Sequence, residues 1–84
     1  MPSYLIEAYS ADSDAVVAAA RATARRTAEI DAEIRWLRST LVPDDETILH
    51  LFEAPTLDAL CKAASRAGLR FDRAVEVIEM EAPA

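Results

Sequence analysis

The fold is decided by the stretch from Ile34 to Ala54, which reads IRWLRSTLVPDDETILHLFEA. Two runs in it, Ile34 to Val42 and Thr47 to Ala54, are rich in the β-branched, aromatic and aliphatic residues that favour strands. The segment Pro43-Asp44-Asp45-Glu46 between them carries residues typical of turns. The stretch therefore predicts two antiparallel strands joined by an acidic turn.

The register of these two strands depends on where the turn is centred. A turn centred on Asp44-Asp45 pairs Ser39 with His50 and Trp36 with Glu53. A β-bulge would shift this register and move the affected side chains to the opposite face of the sheet. The other pairs of the unshifted register are Leu37 with Phe52, Arg38 with Leu51, Thr40 with Leu49, and Leu41 with Ile48.

Strands and helices flank this central pair in both directions along the chain. Alternating residues predict a strand from Ser3 to Tyr9, and an Ala-rich segment without Gly or Pro predicts a helix from Asp14 to about Asp31. The segment Ser10-Ala11-Asp12-Ser13-Asp14 offers N-caps for that helix, and Thr56 is the expected N-cap of a second helix. A last strand is expected from about Asp72 to Met80. The predicted buried stripes are Val17, Ala20, Ala24 and Thr27 or Ala28 in the first helix, and Leu57, Leu60, Cys61 and Ala64 in the second.

This βαββαβ order predicts an α+β ferredoxin-like sandwich, a four-stranded antiparallel sheet with two helices on one face. We expect residues 1–84 to form a single domain. The face towards the helices is predicted to carry Tyr4, Ile6, Ala8, Leu37, Leu41, Ile48, Phe52, Val75 and Val77. The other face, called the open face below, is predicted to carry Leu5, Glu7, Tyr9, Trp36, Arg38, Thr40, Leu49, Leu51, Ala74, Glu76 and Ile78.

The predicted open face mixes large apolar side chains with charges, which suits a protein interface or a lined cleft. Glu7, Arg38 and Glu76 fall on neighbouring or near-neighbouring strands, and together with Trp36 they are predicted to bind a small ligand or an ion. A plain ion-pair cluster and an acid–base pair are the alternatives. The predicted interface of a homodimer consists of Leu5, Trp36, Leu49, Leu51 and Ile78.

His50 is the only imidazole in the chain. Its place opposite Ser39 predicts a core histidine hydrogen-bonded to that serine or to a backbone carbonyl, with a metal ligand as the alternative. Cys61 is expected to be a small apolar filler of the second helix. With one histidine at this spacing, no catalytic residue can be assigned.

Composition excludes several classes of protein. The net charge of −6, from 9 basic and 15 acidic residues, argues against partners such as nucleic acids and anionic membranes. The chain has no apolar run near the ~20 residues of a membrane helix, and its first residues lack the basic segment of a signal peptide. One cysteine cannot form an intrachain disulfide, so a reducing, cytoplasmic location is expected.

Several short segments resemble a known family. They are Tyr4-Leu5-Ile6-Glu7, Trp36-Leu37-Arg38-Ser39, Asp44-Asp45, Glu53-Ala54-Pro55 and Arg73-Ala74-Val75-Glu76-Val77. Together they resemble a family of small bacterial ferredoxin-like proteins, long classified as a domain of unknown function and often labelled nickel-binding proteins. The resemblance implies a homodimer packed through the sheets and, in some members, Ni(II) bound at histidine-containing sites.

The chain departs from the pattern that this resemblance implies at the metal-binding positions. Arg38 stands where the family tends to have a histidine, Ala63 stands at a second histidine position, and His50 replaces a cysteine. The acidic residues Glu7 and Glu76 are kept. We therefore expect the nickel site to be degraded, with His50 as the one residual candidate ligand.

The resulting interpretation is a homodimeric binding protein with a small ligand or ion in a cleft on the open face. Two alternatives remain: a cofactor-free isomerase or oxygenase, and a structural or interaction module without catalytic activity.

Overall fold

The computed structural model describes residues 1–9, 14–80 and 82–83. Its elements are β1 (Ser3–Tyr9), α1 (Asp14–Ile30), β2 (Arg35–Val42), a 3₁₀ turn (Pro43–Asp45), β3 (Thr47–Glu53), α2 (Leu57–Ala67) and β4 (Arg73–Val77). The strands form one antiparallel sheet in the order β2-β3-β1-β4. The predicted α+β ferredoxin-like fold is confirmed, while residues 10–13 of the predicted capping segment lie outside the described residues. In the described part of the chain, no helix has the length and apolarity needed to span a membrane.

The core lies between the helices and one face of the sheet. Tyr4 and Ile6 of β1 and Phe52 of β3 pack there with residues of both helices. Ala24 and Thr27 of α1 are fully buried, as the predicted stripe of that helix requires. The buried residues of α2 are Leu60, Ala63, Ala64 and Ala67.

The buried side of α2 is rotated about the helix axis relative to the predicted buried stripe. Cys61 is only partly buried, whereas Ala63 and Ala67 are buried. The cause is the packing of α2 against α1 as well as the sheet, since the Arg26 guanidinium donates a hydrogen bond of 3.0 Å to the carbonyl of Ala67. Small alanine side chains allow that close approach. The prediction that Cys61 fills the core is therefore wrong.

Both ends of α2 are capped by local hydrogen bonds. The Thr56 hydroxyl accepts from the backbone N–H of Ala59 at 3.1 Å, which confirms Thr56 as the N-cap. Gly68 ends the helix with φ of +81°, a conformation that favours glycine. The N–H of Leu69 then bonds back to the carbonyl of Ala64 at 2.9 Å.

The central pair of strands contains a β-bulge between Trp36 and Arg38. Beyond the bulge, Ser39 pairs with His50 as predicted, whereas Trp36 pairs with Phe52 rather than with Glu53. The predictions that placed Trp36 on the open face and Leu37 in the core are therefore wrong. Trp36 and Leu37 are adjacent in the strand, so only one of their side chains can point towards the core beside Phe52. The bulge places the larger side chain, that of Trp36, in this position. Leu37 is left unpaired and 41% exposed.

The last strand has the opposite phase to the one predicted. Ala74 pairs with Ile6 and Glu76 with Tyr4, so both lie on the face towards the helices, while Val75 pairs with Leu5 on the open face. Val77 also lies on the open face, opposite Ser3. β4 is an edge strand with both faces partly open to water, so its apolar pattern did not determine its phase. The strand ends at Val77, which leaves Ile78 outside the sheet and 80% exposed.

Candidate functional site

A cavity of about 430 Å³ lies between the first half of α1 and the edge strand β2. Val17, Ala20 and Arg21 recur at helical spacing on the side of α1 that lines it. Its other lining residues are Trp36, Leu37, Arg38, Ser39 and Leu41 of β2, and Ile48 and His50 of β3. The small side chain of Ala20 and the bulge in β2 both leave space between helix and sheet. A cavity of this size is in the usual range for small-molecule sites.

Three polar side chains form a chain of hydrogen bonds along one wall of the cavity. The indole Nε1–H of Trp36 donates to the Ser39 hydroxyl at 2.9 Å, and that hydroxyl lies 2.5 Å from Nδ1 of His50. The bulge makes this possible, because it turns the Trp36 side chain to the same face of the sheet as Ser39 and His50. The predicted hydrogen bond between Ser39 and His50 is confirmed.

His50 is fully buried at 0% exposure. Burial lowers its pKa from 6.5 to about 4, because the low-dielectric interior disfavours the charged imidazolium. The imidazole is therefore neutral near pH 7. Its Nε2 atom is buried and has no hydrogen-bond partner among the described residues. Leaving such a group unpaired costs about 1–3 kcal/mol, which is unusual without a functional reason.

The predicted cluster of Glu7, Arg38 and Glu76 does not form. Glu7 lies 3.8 Å from Arg73, its cross-strand partner on β4. Arg38 instead bonds to Glu79 at 2.6 Å. Glu76 lies on the other face of the sheet, opposite Tyr4. The bulge and the phase of β4 thus separate the four predicted ligand-binding residues, and only Trp36 and Arg38 line the cavity.

The open face has an apolar centre and charged margins. Leu49 and Leu5 are partly buried on it, and Leu51 is only 3% exposed. Ion pairs lie around them, among which Arg35 contacts Glu53 at 3.2 Å. The residues of the predicted interface that lie on this face are Leu5, Leu49 and Leu51, joined by Val75 and Val77, whereas Trp36 and Ile78 lie elsewhere.

Sequence reasoning missed the contribution of α1 to the cavity. Arg21 is exposed and lies outside the predicted buried stripe, yet it lines the cavity together with Val17 and Ala20. One available signal was the low volume of the Ala-rich stripe, which cannot fill the space above an edge strand. The position of this stripe next to Ser39 and His50, however, depends on tertiary packing.

Comparison with known proteins identifies the family. Residues 4–77 match the model of a family described as nickel responsive protein SCO4226-like. The chain belongs to the SCO4226-like family. The crystal structure of SCO4226 from Streptomyces coelicolor A3(2) superposes with a TM-score of 0.75 at 20% identity, over 94% of this chain and 99% of that one. At this identity the superposition shows the shared fold. No curated protein matches the chain.

Among the described residues of this SCO4226-like protein, the side chains at the positions implied by the resemblance do not form a nickel site. No group of three or more His, Cys, Asp or Glu side chains lies at metal-binding distance within the described ranges. His50 is closed to solvent and bonded to Ser39. Arg38 lies on the open face and is paired with Glu79, whereas Ala63 of α2 is buried in the core. The positions implied by the resemblance therefore lie in different parts of the molecule. A cationic ligand would also meet Arg21 at the cavity.

Proposed function

We propose that this protein is a small-ligand-binding member of the SCO4226-like family and that the ligand occupies the cavity between α1 and β2. The observation that carries the proposal is the buried His50, held by Ser39 and Trp36, in the wall of a cavity of about 430 Å³. Sites for small molecules combine apolar walls with a few fixed polar groups, which is the composition of this lining.

The same lining favours binding over catalysis. None of the described lining residues is a carboxylate, so acid–base chemistry would depend on His50. Because burial lowers the pKa of His50 to about 4, this imidazole is a weak base at neutral pH. The cavity in turn favours a ligand-binding protein over a purely structural module, because a structural module needs no cavity.

An uncharged fluorescent dye tests the cavity itself. We expect N-phenyl-1-naphthylamine to bind once per chain with an increase in dye fluorescence. The variant Ala20→Phe places a large side chain on the cavity wall, so it should weaken dye binding at least about tenfold. Ala19→Phe, on the exposed side of the same helix, is the matched control and should bind normally. Equal dye binding by both variants would place the dye outside the cavity and contradict the proposal.

We also propose that the protein works as a homodimer whose open faces pack together. The support is the apolar centre formed by Leu5, Leu49, Leu51, Val75 and Val77, which neither helix covers. The ion pairs Glu7–Arg73 and Arg35–Glu53 at its margin resemble the polar rim of a protein interface. Leu51 is already buried in one chain, and packing two such faces would bury the parts of Leu5, Leu49, Val75 and Val77 that remain accessible.

Sedimentation tests the homodimer. We expect a dimer at tens of micromolar and a monomer for Leu49→Lys, because this change puts a charge into the apolar centre of the interface. Ile30→Lys makes the same kind of change at the exposed end of α1 and should remain dimeric. A monomeric wild-type protein, or two dimeric variants, would rule out this interface.

For nickel we expect weak or no binding by the untagged protein in calorimetry. The reason is the absence of a ligand cluster in the described residues together with Arg21, which lines the same cavity as the one histidine. Any residual affinity should survive His50→Ala. Stoichiometric binding at micromolar affinity or tighter that disappears in His50→Ala would overturn the expectation that the metal site is degraded.

A further inference from the structure

We propose that the cavity binds a small monocarboxylate with an apolar body, and that Arg21 and the Nε2–H group of His50 recognise the carboxylate. This inference rests on the small-ligand function proposed above and adds to it the chemical class of the ligand. Neither nickel nor any other cation is involved.

The position of the proton on His50 follows from the hydrogen bonds of Ser39. A serine hydroxyl has one proton to donate, and its oxygen can accept two hydrogen bonds. The oxygen of Ser39 already accepts from Trp36, and the hydroxyl has no acceptor other than His50 among the described residues. This arrangement favours donation of the serine proton to Nδ1, which leaves the proton of the neutral imidazole on Nε2.

A protonated Nε2 selects the kind of ligand. As a buried donor without a partner in the described chain, it is satisfied by an acceptor such as a carboxylate oxygen. The same proton occupies the lone pair that a metal ion would need. The hydrogen bonds from Trp36 to Ser39 and from Ser39 to His50 thus orient the imidazole so that Nε2 is a hydrogen-bond donor and not a metal ligand.

The charges around the cavity point in the same direction. Arg21 and Arg38 line it, and no acidic residue does so in the described part of the chain. Arg38 is already paired with Glu79, whereas none of the ion pairs between described residues involves Arg21. Arg21 is therefore the cation left for a ligand, and a guanidinium binds a carboxylate through two parallel hydrogen bonds.

The rest of the lining determines the body of the ligand. Val17, Ala20, Trp36, Leu37, Leu41 and Ile48 supply mainly apolar surface. Because Nε2 is closed to solvent in the structure, contact with the ligand requires a side-chain shift in the wall. Leu37 is one wall residue that the strand pairing does not hold in place, since it is unpaired in the bulge and 41% exposed.

Three probes that share a phenyl ring but differ in charge test the ligand class: anionic benzoate, neutral benzamide and cationic benzylamine. Trp36 is the only tryptophan, so its fluorescence reports directly on the cavity. We expect saturable binding of benzoate at least about tenfold tighter than benzamide, and no saturable response to benzylamine. Arg21→Met should weaken benzoate binding about tenfold, and Arg21→Lys should restore part of it. Arg25→Met, on the exposed surface of the same helix, is the matched control and should leave binding unchanged.

Nitrogen NMR of the imidazole tests the role of His50 without a ligand. We expect the Nε2–H tautomer in the wild type, and a shift of that signal on addition of benzoate. An Nδ1–H tautomer would overturn the inference. Benzylamine or benzamide binding as tightly as benzoate would also overturn it, while leaving the proposed small-ligand function in place. Failure of both benzoate and the uncharged dye to bind would remove the two proposals together.

Discussion

Leu60→Ala is expected to lower the free energy of unfolding by about 2–4 kcal/mol. Leu60 is 0% exposed in the middle of α2 and belongs to the core cluster that includes Ile6 and Phe52. Removing its side chain loses buried apolar surface and leaves a cavity that the sheet cannot close, because strands on that side are held in register by their neighbours. Urea denaturation measures the change directly.

Lys62→Ala provides the control on the same helix. The Lys62 side chain is 75% exposed and forms only the surface ion pair with Asp58, so we expect a change of less than about 0.5 kcal/mol. If both variants lost equal stability, the buried side of α2 would be assigned incorrectly.

The second large effect is a dependence of stability on pH that arises from His50. Burial lowers the pKa of His50 in the folded protein to about 4, while in the unfolded chain it returns to about 6.5. Between these values the unfolded chain takes up a proton that the folded protein does not. The free energy of unfolding should therefore fall as the pH falls from 6.5 to about 4, by about 2–4 kcal/mol in total, and this contribution is complete above pH 6.5.

His50→Asn isolates this contribution. Asparagine keeps a polar group that can bond to Ser39 but cannot titrate, and the carboxylates titrate in the same way in both proteins. The difference in unfolding free energy between wild type and variant should consequently shrink as the pH is lowered through this window. Parallel pH profiles would mean that His50 is accessible to solvent or already charged in the folded state.

Under the proposal, a member of the SCO4226-like family can use its fold without a cluster of metal-binding side chains in the described residues. The chain has the fold of SCO4226, and Arg21 lines its cavity without an ion-pair partner among the described residues. A lining of this charge favours an anion over a metal ion. Under the proposal, the same scaffold therefore binds a ligand of different chemistry.

The sequence determined the order and type of all the main elements. Alternation in Ser3–Tyr9 and the turn residues around Asp44 and Asp45 are local signals, and the strands formed where they predicted. The pairing of Ser39 with His50 was equally predictable, because it depends only on the position of the adjacent turn. For that reason the burial of His50, and its bond to Ser39, could be read from the chain.

Only the tertiary structure decided which residues share a site. The bulge at Leu37 brings Trp36 to the side of His50, and the pairing of β4 with β1 carries Glu76 away from Glu7. A shift of one residue reverses the face of every side chain beyond it, yet it changes the local sequence pattern very little. The shift is favoured because it buries the Trp36 ring against the core, and α1 leaves room for that ring above β2. Both conditions depend on segments that are distant in the chain.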